Sequence, residues 1–146
     1  MGIRRLRIYG VGVDVARITR IQQTYERFGK RFLLKAFHAD EIAQFHARTD
    51  AQKPLFLASR WAVKEATFKA FQRYRVLFPE ICTVRQRSAP RSSELLENQL
   101  RVQIQTALPV ADEEPHVSLS HDGDYAMAVV VLQQQEADEE QSPSDP

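Results

Sequence analysis

The chain predicts an α+β domain, a mostly antiparallel sheet packed on a long core helix. Three observations lead there. Strand-like alternation opens the chain in "RLRIYGVGVD", helical stretches follow one another through residue 73, and the second half turns to short alternating segments with an Asp-Gly hairpin signal at Asp122–Gly123.

Each element has its own justification. Gly10 and Gly12 close the first strand, where missing side chains permit another backbone or a ligand to come close. In "VARITRIQQTYERFG", Ile18, Ile21, Tyr25 and Phe28 fall at i, i+3, i+7 and i+10, an amphipathic helix ending at Gly29. Asp14 reads equally as the N-cap of that helix, begun near Val15, or as a ligand; a carboxylate has acceptor capacity for both. "HADEIAQFHART" predicts a short helix starting near Asp40. The helix expected over 55–73 is the most apolar, with Leu55, Phe56, Leu57, Trp61, Val63, Phe68 and Phe71, and is the expected core spine. "EICTVRQ" and "QLRVQIQ" read as strands, the second placing Leu100, Val102 and Ile104 on one side, and "HVSLSHDGDYAMAVVVL" as a hairpin. The expected domain is 1–135, with 86–98 a mobile polar loop and the acidic 136–146 a disordered tail.

Composition narrows the function classes. With 146 residues, 43% hydrophobic and 27% charged, the chain has the makeup of one globular domain. The lone Cys82 excludes an internal disulfide framework and a cysteine-based zinc site, and points to a reducing intracellular compartment, cytoplasmic or mitochondrial. No apolar run approaches the roughly 20 residues that span a bilayer, so no membrane partner is expected. The formal charge of +1 hides an asymmetry: residues 1–75 hold 16 Lys/Arg against 6 Asp/Glu, while 136–146 hold five acids and no base. Such a body suits a phosphate-bearing or acidic partner. Nucleic acid is not expected, because neither a recognised binding motif nor interleaved aromatics accompany the charge.

The charged residues inside the apolar helix are the chemical puzzle. "WAVKEATFK" (61–69) sets Lys64, Glu65 and Lys69 among Trp61, Val63 and Phe68. A Glu65–Lys69 pair on a wet face is the bland account, worth a few tenths of a kcal/mol. Two carboxylates near cations, Asp14 and Glu65, are also what a magnesium site needs when water and phosphate supply the other ligands. Arg17, Arg20, Thr24, Arg27 and Arg31 form a stripe at helical spacing with only Glu26 as local counter-charge, fit for an acidic partner or for solvent. His116, Ser118 and Ser120 share one side of a strand and could line a nucleotide or phosphate groove. No Gly-x-Ser-x-Gly elbow, P-loop or Gly-x-Gly-x-x-Gly turn is present.

Three segments, in order, resemble one family. "GVGVDVARITRI", "FLASRWAVKEATFKAF" and "HVSLSHDGDYAMAVVVL" are similar to the signatures of the holo-acyl-carrier-protein synthases, the small class of phosphopantetheinyl transferases. The resemblance implies transfer of 4'-phosphopantetheine from coenzyme A to a serine of an apo acyl carrier protein, with release of 3',5'-ADP. It implies that Asp14 and Glu65 hold Mg2+, that Lys69 contacts the migrating phosphate, and that Arg60 and Lys64 lie near the nucleotide. His116, Ser118 and Ser120 would lie along the coenzyme A groove, and Arg17, Arg20 and Arg27 would meet the carrier. A homotrimer with sites between subunits is implied too. The general base would be a metal-bound water or a carboxylate such as Glu41. The chain departs from the pattern after Lys69, where "FQRYRVLFPE" replaces a glycine-rich loop; this marks a divergent member and leaves a non-catalytic coenzyme A- or carrier-binding relative as the alternative.

Overall fold

The computed structural model describes residues 6–72, 75–85, 100–104 and 113–135. The loop expected to be mobile, 86–98, and the acidic tail, 136–146, lie outside the described residues. Strand β1 (Leu6–Arg17) is followed by α1 (Ile18–Phe28), α2 (Lys30–Ala36), α3 (Ala39–His46) and α4 (Lys53–Ala70), then by β2 (Ile81–Arg85), β3 (Leu100–Ile104), β4 (Glu113–Asp122) and β5 (Tyr125–Gln135). All neighbouring strands are antiparallel, in the order β1-β5-β4-β3-β2. The expected α+β architecture is the one observed, and the β4–β5 hairpin is present with its turn one residue on from the expected Asp122–Gly123: Asp122 pairs with Tyr125, and Gly123, at φ 53, and Asp124 make the turn.

Two local expectations need correction. β1 runs on to Arg17, paired with β5 throughout, so Asp14 is a strand residue opposite Ala128 and caps no helix. The start of α1 is held instead from the hairpin turn: Ile18 N–H donates to the Asp124 carbonyl at 2.8 Å and Thr19 N–H to its carboxylate at 3.0 Å. The second miss is α2. Gly29, at φ 50, ends α1 as expected, but the chain re-enters a helix at once with Lys30.

α4 lies across β1 and β5 at a distance only small residues allow. A Cβ placed on Gly10 would sit 2.0 Å from the Ala70 carbonyl oxygen, and one on Gly12 only 1.8 Å from that of Ala66. The glycines therefore admit another backbone. Ala58, Ala62, Ala66 and Ala70 are buried on the helix, as are Ala126 and Ala128 on β5. Phe45, Phe56, Leu57 and Val63 fill the wider space where α3 and α4 meet.

Alternation gives the sheet a second, exposed face. On β1, Gly12 and Ala16 turn inward while Val11, Val13 and Val15 turn out, each at least half exposed. Tyr125 and Met127 on β5 are exposed beside them, and Leu6 and Ile8 extend the apolar strip beyond the register shift between Ile8 and Gly10.

Candidate active site

The last turns of α4 bring Glu65 and Lys69 against the middle of β1. Lys69 Nζ donates to the Val13 carbonyl at 2.9 Å and lies 3.2 Å from Asp14 Oδ1. Lys69 thus turns to the strand, in place of the wet-face pair with Glu65. The Glu65 carboxyl is pushed above the ordinary glutamate range, first by burial and then by the charge of Asp14, with Lys69 and Arg20 opposing. Two neighbouring carboxylates, both hard oxygen donors, are a donor set whose repulsion a divalent cation would relieve. The residues present fit Mg2+.

One residue earlier on the helix the outcome is the opposite. Lys64 is fully buried, with its ammonium 2.6 Å from Glu41 Oε2, donating to the Phe78 carbonyl at 2.9 Å and also to the Ile81 carbonyl. An ammonium has three donors, and all three are engaged. The expected place of Lys64 beside a nucleotide is therefore corrected. Glu41 as general base is corrected with it, since that carboxylate is as buried as its partner and accepts N–H bonds from His38 and Thr83, each at 3.2 Å. Ile81 and Thr83 stand two apart on β2, so their outward backbone groups leave the same edge of the sheet. The Glu41–Lys64 pair satisfies both, filling the place a further strand would take.

Arg60 is 7% exposed, packs over the Phe56 ring at 4.7 Å, and has an Nε without a hydrogen-bond partner. Arg48 lies over the same ring at 5.0 Å, and both Arg48 and Arg85 are close enough to depress the Arg60 pKa, beyond the larger effect of burial. Two guanidinium groups that share the Phe56 ring, with Arg85 adding to the positive field and the Arg60 Nε unpartnered, can take an anion. Arg48 and Arg85 were missed in the sequence because they lie on separate elements, and no spacing ties them to Arg60.

His38, Asp40 and Cys82 also bring potential ligand atoms within 4.8 Å of one another. Their chemistry is that of a helix cap over a core thiol. His38 Nδ1 accepts the Asp40 N–H at 3.1 Å, and burial, with the charges of Glu41 and Asp40, pushes the Cys82 thiol up to about 11.

The remaining expected residues fall in two places. His116, Ser118 and Ser120 are exposed on β4, opposite Val131, Val129 and Met127 of β5, and so belong to the outer face of the sheet. Asp14 shares the inner-face parity of Gly12 and Ala16. Within one chain the two groups do not meet, because odd and even strand positions point to opposite faces. Arg17 lies at the end of β1 in place of α1 and pairs with Asp124 at 3.1 Å, and Arg17, Arg20 and Arg27 are all exposed. Beside α1 runs a groove of about 520 Å³ walled by Phe28, Phe32, Trp61 and Phe78 and rimmed by Arg31 and Lys35.

The fold and much of the sequence are shared with known proteins. The model of the 4'-phosphopantetheinyl transferase superfamily matches residues 10–130. A holo-[acyl-carrier-protein] synthase of Thermodesulfovibrio yellowstonii is 34% identical over 125 residues, 86% of this chain and 98% of that one. The crystal structure of the Helicobacter pylori holo-[acyl-carrier-protein] synthase in complex with coenzyme A is 26% identical, with a TM-score of 0.65 over 84% of this chain and 98% of that one. That of the Plasmodium yoelii holo-ACP-synthase, at 17% identity and a TM-score of 0.73 over 90% of this chain and 99% of that one, shares the fold. The chain belongs to the 4'-phosphopantetheinyl transferase superfamily.

Proposed function

We propose that this chain is a holo-[acyl-carrier-protein] synthase, transferring 4'-phosphopantetheine from coenzyme A to a serine hydroxyl of an apo acyl carrier protein. The observation that carries the reading is the cluster of Asp14, Glu65 and Lys69, two carboxylates and an ammonium converging from β1 and α4. The serine oxygen forms a bond to the β-phosphorus, and the bond to the 5'-phosphate of the departing 3',5'-ADP breaks. Charge neutralisation and positioning dominate such transfers. Mg2+ held by Asp14 and Glu65 would supply the first. Lys69, half exposed beside Asp14, is placed to hold the migrating phosphate. Arg60, with Arg48 and Arg85, is the group suited to the nucleotide phosphates.

Arg20 and Arg27 would meet the acidic carrier, with the neighbouring aromatic groove taking its apolar side chains. His116, Ser118 and Ser120 would serve from a second copy, since they face away from the cluster of their own chain. The exposed valines of β1 support that pairing of copies, and a homotrimer built on this face is part of the reading. No described helix is long and apolar enough to cross a membrane. An intracellular place, cytoplasmic or mitochondrial, rests on the buried free thiol of Cys82.

Intact-mass spectrometry of an apo carrier protein incubated with this protein, coenzyme A and Mg2+ tests the reading. A phosphopantetheine mass gain that chelator abolishes is the expected result. Tight coenzyme A binding with no mass gain on any of several carriers would make the chain a non-catalytic relative.

A further inference from the structure

Glu41 takes no part in the reaction as described, yet from its own place on α3, which ends two residues before Arg48, it reaches the two elements that carry Arg60 and Arg85. Its Oε2 accepts the His38 N–H, closing the capping box of its own helix and fixing the start of α3. Its ion pair with Lys64 holds α4 one turn after Arg60. Its Oε1 accepts the Thr83 N–H on β2, two residues before Arg85. The carboxylate is fully buried, so these bonds are protected from water and from exchange of partners.

Charge argues in the same direction. Arg60 feels Arg48 and Arg85 as like charges, and the one large opposing influence on it is Glu41. Without a buried anion behind them, three guanidinium groups would repel one another and drift apart in the absence of a ligand.

We propose that Glu41 is a positioning residue for the nucleotide-phosphate site, its buried carboxylate clamping α3, α4 and β2 so that Arg48, Arg60 and Arg85 converge on one phosphate group. The inference rests on the reading of those arginines as the nucleotide-phosphate site. It predicts a specific failure when Glu41 loses its charge. Binding of 3',5'-ADP and the KM for coenzyme A worsen, while the KM for the carrier, which docks on another part of the surface, holds.

The experiment is calorimetric titration of 3',5'-ADP into the full-length protein and its Arg60→Met and Glu41→Gln variants, with steady-state KM values for both substrates. Glu41→Gln leaves Lys64 as a buried unpaired charge and risks unfolding, so Glu41→Gln/Lys64→Gln, which keeps side-chain hydrogen-bonding groups at both positions without the charges, is titrated beside it. The expected result is a loss of about tenfold or more in 3',5'-ADP affinity for Arg60→Met and for the folded Glu41 variants, with carrier KM within about twofold of the parent. If Arg60→Met weakens 3',5'-ADP but the folded Glu41 variants bind it like the parent, the positioning role is overturned and the arginine site stands. Equal loss of both KM values would reduce Glu41 to general scaffolding. If Arg60→Met binds 3',5'-ADP unchanged, the arginine site itself is wrong and the inference falls with it.

Discussion

Lys64 and Lys69 sit five residues apart on one helix, each paired to a carboxylate, and the two pairs have opposite surroundings. Lys64–Glu41 closes at 2.6 Å with both side chains fully buried and every ammonium donor engaged. Lys69–Asp14 stands at 3.2 Å, with the lysine side chain 51% and the aspartate 16% exposed. Exposure decides the difference. A buried pair that also satisfies strand-edge groups is scaffold, because any ligand would have to break several hydrogen bonds in a low-dielectric interior. A pair open to water can trade its contact for a phosphate or a metal ion at small cost.

Breaking the buried pair should have the largest effect. Lys64→Met leaves Glu41 charged, buried and short of its main partner, and should lower unfolding free energy by about 3–5 kcal/mol in urea titration. A loss below about 1 kcal/mol would show that the pair is not the scaffold its geometry implies. Replacing both residues by apolar ones should not restore stability here, as it does for many buried pairs, because the groups at Thr83 and Ile81 would be left unpaired.

The open cluster should respond the other way, in rate. Asp14→Ala and Glu65→Ala should each cost on the order of 10²–10³ in kcat, with the urea midpoint little changed. Retained activity in either variant would remove the two-carboxylate metal site. Lys69→Met should lower kcat and kcat/KM together, the signature of a contact made in the transition state.

Acid sharpens the contrast. Because the Glu65 pKa lies above its unfolded value, metal-free folded protein binds that proton more readily than the unfolded chain does. The stabilisation from Glu65 is then fully present below the ordinary glutamate pKa and is lost as pH rises through the raised one. Glu65→Gln should therefore slightly stabilise the metal-free protein at pH 7 while abolishing turnover, measurable as a small rise in Tm beside a lost mass gain. A fall in Tm would mean that Glu65 is structural, like Glu41. Smallest is the effect of Arg20→Glu, expected to raise the carrier KM by about tenfold at low salt and less at high salt, with coenzyme A KM unchanged. Equal losses for both substrates would contradict docking through α1.

Much of this molecule was legible from local pattern. The alternation of β3, β4 and β5, the Asp-Gly turn, the apolar stripe of α1 and the family signatures are short-range features that one segment carries by itself. The same is true of Gly29, although what followed it was not: Lys30–Ala36 is basic and short, and its helix rests on Leu33 and Ala36 reaching a core no local window contains.

Sequence by itself determined the fold class and the family, and singled out Asp14, Glu65 and Lys69 as candidates for one chemistry. Tertiary structure decided which charges are free to perform it. In "VKEATFK" the lysines at 64 and 69 are equivalent as letters, but a helix lying on a sheet buries one side and exposes another, and only the positions of Glu41, β2 and β1 say which lysine is spent. Likewise, nothing in the sequence places His116, Ser118 and Ser120 across the sheet from Asp14; register with β5 does, because a strand sends alternate residues to opposite faces.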